Sequence, residues 1–308
     1  MTTSNQMVQQ KMPFSVAVNT PSMQKLIANA LHDPARCARF TASIVSAVSV
    51  NQELQNCDRN TVISGALLGE SLNLSPSPQL GQYYLVPFKQ KAKYDRDGNM
   101  VRPEKTTATF VLGYKGYLQL SLRSGQYKSI NVEIVKQGEY KGRDPMTGDP
   151  RFQFLEDDDE WERLPVIGYM ASFEYLNGFR KVLYWSKEKM MNHADRYGAA
   201  FSRKAYENLI AGNIPQGDMR KYSSFWYKDF DSMAKKTMLR QLISKWGIMS
   251  TDMQSAYESD SRVIEETESG QLVPQVEEEP PQQIEEPQAA AQIPSQPAEP
   301  KQIDLSSL

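Results

Sequence analysis

The sequence predicts an α+β chain: a helical N-terminal region, a small antiparallel sheet with a hairpin and packed helices, and a disordered acidic C-terminal tail. Three observations predict it. In 58–74, Val62, Ala66, Leu67 and Leu74 recur at helical spacing and Pro76 stops the helix. The runs Gln82–Phe88 and Thr106–Leu112 are rich in Tyr, Val, Thr and Phe, the composition of strands. Leu176-Asn177-Gly178 separates two more such runs, Val166–Tyr175 and Phe179–Trp185, and Asn-Gly readily takes positive φ at both positions of a hairpin turn.

The other elements follow in order. Residues 1–20 are polar and read as a flexible N-terminus, and Ser22 to Leu74 is helical in pattern. Lys89–Lys105 is a charged insert with an Asp97-Gly98 turn signal. A short helix is expected over Gly116–Ser124. Alternating Ile130, Val132 and Ile134 then place a strand at Tyr127–Val135. Residues 138–163 form a turn-rich acidic connection. Ser186 can cap a helix running towards Gly198, and a last helix spans Phe230–Trp246, with Asp229 at its N-cap and Gly247 past its end. Beyond Tyr257, Pro, Gln and Glu dominate, too little apolar surface to offset ordering entropy. The expected division is thus 1–20, a body over 21–258, and a tail over 259–308.

Charge is unevenly spread. Residues 259–308 hold eleven acidic and two basic residues, which leaves 33 basic and 26 acidic residues, a net of +7, in the body. A basic body with an acidic tail is a recurring layout in proteins that handle nucleic acid, and an ordinary domain with a solvated tail is the competing reading. With 308 residues, 40% hydrophobic, the chain can bury a sizeable core. Two cysteines, Cys37 and Cys57, make no disulfide framework, so a reduced cytoplasmic setting is expected. The first ten residues lack an apolar signal region, and no apolar run is long enough to span a bilayer.

Two stretches carry candidate chemistry. On a helix through 113–123, Lys115, Gln119 and Arg123 fall at i, i+4 and i+8, a polar row with members about 6 Å apart. Such donors can follow a phosphate backbone, and Tyr114 and Tyr117 can stack on bases; a solvated face with the tyrosines in the core is the alternative. In the last helix, Ala234, Met238, Leu242 and Trp246 form an apolar stripe, with Lys236 and Arg240 on the opposite, polar side. Lys235 falls at the angle of the stripe. Either its stem snorkels from a packed face or its ammonium meets a phosphate in a groove.

Enzymatic machinery is not evident. Gly212 to Gly217 has the glycine spacing of a phosphate loop, but Asp218 and Met219 stand where Lys and Ser/Thr are required, so no ATP cofactor is expected. Only His32 and His193 occur, without zinc-ligand spacing, and no metal ligand is assigned. Glu156–Glu160, five adjacent carboxylates, suits a solvated loop better than a nuclease metal site.

LGYKGYLQLSLRSGQYKSINV (Leu112–Val132) and DFDSMAKKTMLRQLISKWGIMSTDMQ (Asp229–Gln254) resemble the signature stretches of RecT-family single-strand annealing proteins of phages and prophages. NGFRKVLYW (Asn177–Trp185) and YLVPFK (Tyr84–Lys89) fit as well, and the resemblance covers roughly residues 25–257. The insert at Gln90–Lys105 is longer than the family pattern. The resemblance implies an α+β fold related to other annealing proteins, ring or helical homo-oligomers, and a basic groove for single-stranded DNA and the annealed duplex. It implies ATP-independent annealing in recombination, with magnesium at most an aid. It also implies a 5′–3′ exonuclease partner, and a host single-strand binding protein is a further candidate. Lys89, Lys128 and Lys228 join Tyr114, Lys115, Tyr117, Gln119, Arg123, Lys235, Lys236 and Arg240 as candidate DNA contacts. A passive single-strand protector and a metal nuclease are the rival readings.

Overall fold

A computed structural model describes residues 12–90, 92–95, 99–198, 200–214, 222–267 and 271–275. The helical N-terminal region is present: α1 (Phe14–Ala17), α2 (Pro21–Leu31), α3 (Pro34–Val50) and α4 (Arg59–Ser71). α1 falls within the stretch expected to be loose. Phe14, Ala17 and Val18 are buried, so the fold begins before residue 21, while 1–11 lie outside the described residues. Asp58 caps α4 by accepting from Asn60 N at 2.8 Å. Residues 61–69 of this helix are all buried, because sheet strands and helices cover it all round.

β1 (Tyr83–Gln90) pairs antiparallel with β4 (Lys105–Leu112), Tyr83 facing Leu112. The insert between them is a small hairpin of β2 (Lys93–Tyr94) and β3 (Met100–Arg102). Its Asp97-Gly98 turn lies outside the described residues. α5 (Tyr114–Arg123) follows, then β5 (Tyr127–Lys136). The acidic connection folds into β6 (Tyr140–Arg143), β7 (Pro150–Phe152) and α6 (Asp158–Arg163). The carboxylate run is partly spent on local structure, since Asp157 caps α6 by accepting from Glu160 N at 2.9 Å.

β8 (Val166–Tyr175) and β9 (Arg180–Ser186) complete a three-stranded antiparallel sheet in the order β5-β8-β9. The expected hairpin forms with a different turn. Only Gly178 has positive φ (85°), and Asn177 instead accepts Phe179 N through Oδ1 at 3.0 Å. Tyr175 N donates to Phe179 O at 2.9 Å and Gly178 N to Tyr175 O at 3.0 Å, so the three-residue loop 176–178 is a β-turn closed by a left-handed glycine.

The chain continues as α7 (Lys187–Tyr197), α8 (Arg203–Ile210), α9 (Phe225–Lys228), α10 (Phe230–Trp246) and α11 (Thr251–Ser259). The expected caps are in place: Ser186 accepts from Lys189 N at 3.2 Å and Asp229 from Ser232 N at 3.0 Å. Two strands lie past the boundary expected at 258. β10 (Arg262–Glu266) pairs with β4, and β11 (Leu272–Pro274) pairs with β10, giving a four-stranded sheet β1-β4-β10-β11. Ser259, Asp260, Val263 and Ile264 are buried, so the body extends to the last described residue, 275. The remainder of the expected tail, 276–308, lies outside the described residues.

Candidate nucleic-acid interface

The first turn of α5 is rooted on Gln82, the residue that leads into β1. Gly113 N donates to Gln82 O at 2.8 Å. A Cβ on Gly116 would stand 2.2 Å from that same carbonyl, so the Gly-Tyr-Lys-Gly run lets helix and strand backbones touch. This contact turns Lys115 and Gln119 to the exposed side and Leu120 and Tyr117 to the core. α10 packs beside α5, and the Lys235 ammonium lies 5.6 Å from the centroid of the Tyr114 ring. Tyr84 stands 5.2 Å from Phe225, ring to ring. Burial, together with the Asp229 carboxylate, raises the hydroxyl pKa of both Tyr84 and Tyr114, so both are neutral. The result is a partly exposed aromatic and cationic patch of Tyr84, Tyr114, Lys115, Phe225 and Lys235. Tyr84 and Phe225 were not among the sequence candidates. Tyr84 reads as an ordinary strand residue, and Phe225 sits in a short aromatic run that shows no period.

Other expected contacts have different surroundings. Tyr117 is fully buried, and its hydroxyl donates to Asp260 Oδ2 at 3.3 Å, so it cannot stack on a base. Lys236 is not on a polar face. Its side chain is 8% exposed, and Nζ lies 2.8 Å from Asp260 Oδ1. Arg240 Nη1 lies 2.8 Å from Asp260 Oδ2, with its guanidinium 4.1 Å over the Tyr257 ring. Leu112 N also donates to Asp260 Oδ1, at 2.9 Å. Burial would raise the Asp260 pKa, but Lys236, Arg240 and this amide outweigh it and hold the carboxylate below its ordinary value. The two cations thus tie α10 to α5 and to the turn before β10. Lys236 and Arg240 do not share an open polar face as expected, because α10 is covered on more than one side: Phe230, Thr237 and Leu239 are buried along with Ala234, Met238 and Leu242. Trp246, the last member of the stripe, is exposed, with Lys181 Nζ 5.4 Å from its ring.

The third member of the α5 row, Arg123, donates to Leu72 O at 2.6 Å and Asn73 O at 3.4 Å, the carbonyls that end α4. It serves as a C-terminal cap for that helix while staying exposed, as Lys115 and Gln119 are. Lys89 pairs with Glu104 and Lys128 with Glu174, at 2.7 and 2.8 Å, both lysines largely exposed. Exposed pairs of this kind are weak and leave the lysines accessible. Lys228 is exposed at the end of α9, next to the Asp229 cap. Among the described residues no three His, Cys, Asp or Glu side chains converge as metal ligands, and no helix is long and apolar enough to cross a membrane.

These features can be set beside known proteins. The chain is 36% identical to an uncharacterized protein, YqaK, of Bacillus subtilis (strain 168) over 238 residues, which cover 77% of this chain and 67% of the relative. It is 29% identical to Protein RecT of Escherichia coli (strain K12) over 122 residues, 40% of this chain and 42% of that protein. The RecT family model matches residues 38–276, a span that includes α5, α10 and both strands past residue 258. The chain therefore belongs to the RecT family of single-strand annealing proteins.

Proposed function

We propose that the face shared by α5 and α10 holds single-stranded DNA and that the protein anneals complementary strands without hydrolysing a nucleotide. The observation that carries this reading is the convergence of Lys115 and Lys235, on two packed helices, with the rings of Tyr114, Tyr84 and Phe225. Cations there lower phosphate repulsion, while partly exposed rings meet bases without reading sequence. Pairing of the two strands supplies the driving free energy, so no bond in the DNA needs to be made or broken.

In this reading Gln119 extends the row along α5, and Lys89, Lys128 and Lys228 supply peripheral charge. Arg240, Lys236 and Tyr117 act from below, by fixing α10 against α5. Ring or helical homo-oligomers, strand supply by a 5′–3′ exonuclease, exchange with a host single-strand binding protein, and an assisting magnesium ion complete the proposal. Cys37 and Cys57, neither of them in a disulfide, suit a reducing cytoplasm. The test mixes two complementary oligonucleotides without ATP. Faster duplex formation with protein, reduced in Lys115→Ala and Lys235→Met, supports the reading. Slower duplex formation identifies a passive protector, and shortened products identify a nuclease.

A further inference from the structure

We propose that the outer face of α7 is a second strand-binding site, one that receives the complementary strand during annealing. This inference rests on the annealing reading above. α7 and α10 pack against the same face of the three-stranded sheet. Tyr169 of β8 meets Phe230 of α10, and its register partner Trp185 of β9 meets His193 of α7. A strand on the α5–α10 face and a strand on α7 would therefore lie over one layer of helices.

The face has the composition of a single-strand platform, cations interleaved with rings. Lys189 Nζ lies 4.6 Å from the Trp185 ring centroid, and Lys189 is exposed. His193 packs between Trp185 at 5.1 Å and Tyr197 at 4.8 Å, and the Arg196 guanidinium lies 5.2 Å over Tyr197. Lys189, His193 and Arg196 are spaced i, i+4 and i+7. They span about 10 Å of helix, the axial length of roughly three nucleotides of one DNA strand.

A second observation gives this face its charge. The acidic side of α7 is engaged by the start of α8. Arg203 donates to Glu188 Oε2 at 3.1 Å and to Asn192 Oδ1 at 2.8 Å, and its backbone N–H donates to Asp195 Oδ1 at 2.7 Å. The Arg203 hydrogen bond holds the Glu188 carboxyl below its ordinary pKa, so it stays ionised there. Glu188 and Asp195 turn to Arg203, and Lys189, His193 and Arg196 lie about a quarter turn round the helix from them, beside the buried Met190, Met191 and Ala194. The complement of a basic face that carries the half-buried rings of His193 and Tyr197, with Trp185 buried beneath Lys189, is a polyanion with flat bases, which a single DNA strand is.

The experiment uses the full chain as Lys189→Ala/Arg196→Ala, with Lys189→Arg/Arg196→Lys as the charge-keeping control. Both positions are exposed, and thermal unfolding checks that the fold is kept. Three quantities are read: affinity for a first labelled oligonucleotide, capture of a second non-complementary labelled strand by the preloaded complex, and annealing rate. The expected result is first-strand affinity within about twofold of wild type. Second-strand capture and annealing fall at least about tenfold, and the salt slope of capture flattens by about two units. The control recovers most of both. Wild-type capture and annealing by the alanine variant would overturn the α7 assignment alone. So would first-strand affinity falling in step with annealing, since α7 would then belong to the first site. Failure of the unmodified protein to anneal at all would overturn the underlying reading instead.

Discussion

Asp260→Asn changes one atom in the best-connected buried polar group of the fold. The wild-type carboxylate is 1% exposed and accepts from Lys236, Arg240, Tyr117 and the Leu112 amide. The amide variant keeps volume and one carbonyl oxygen. It removes the negative charge and aims an NH2 at donors. Breaking a buried pair by changing one partner costs about 3–5 kcal/mol, because the other charge is left uncompensated. Arg240 is partly solvated and stacks on Tyr257, so the lower end, about 3 kcal/mol, is expected. For a body of this size that is roughly 6–12 °C in Tm. The pH dependence has a defined sign. The folded-state pKa of Asp260 is depressed, so its contribution is complete above the ordinary value of 3.8 and is lost as pH falls below it. The gap between wild type and variant should be widest near neutrality and shrink in acid. Adding Lys236→Met to Asp260→Asn removes the stranded cation and should recover part of the loss. Thermal melts of the three proteins at neutral and acidic pH test this. An Asp260→Asn protein melting within 2 °C of wild type at pH 7 would refute the account of the network.

Truncation after Tyr257 deletes Asp260, β10 and β11, so it should give an unfolded or aggregating chain by circular dichroism. Arg123→Ala should lower stability by about 1 kcal/mol through the uncapped end of α4 while leaving the salt slope of DNA binding unchanged. Lys115→Ala should keep the fold and flatten that slope by about one unit on every oligonucleotide sequence. Tyr114→Phe should retain annealing and Tyr114→Leu should lose it, if the ring's role is to hold the Lys235 ammonium by its face; equal loss in both would assign the role to the hydroxyl.

Elements with local signals were legible in the sequence. The bounds of α10 follow from Asp229 and Gly247, because a cap is made within one turn of the chain. The hairpin and its three-residue loop followed from Leu176-Asn177-Gly178, although only Gly178 takes the positive φ expected of both Asn177 and Gly178. What stayed hidden needed a distant partner. Asp260 counted towards an acidic tail, and only its position between Lys236, Arg240 and Leu112 shows it to be interior. Val263 and Ile264 are a short apolar pair among Glu, Gln and Pro, too brief for composition to register. They become a strand because β4 offers an edge.

The adjacent lysines of α10 show how the site depends on this hidden part. Successive residues on a helix point about 100° apart. Lys235 therefore faces the Tyr114 ring at the partly exposed side, and Lys236 faces Asp260 in the interior. The inward lysine and Arg240 tie α10 to α5 through one carboxylate, which sets where the outward lysine stands relative to Lys115. Exchanging their roles would bury an unpaired charge and expose an apolar face. The separation of the interior cation from the outward one proposed to meet DNA is thus fixed by Asp260, a residue contributed by the segment that composition alone assigns to the tail.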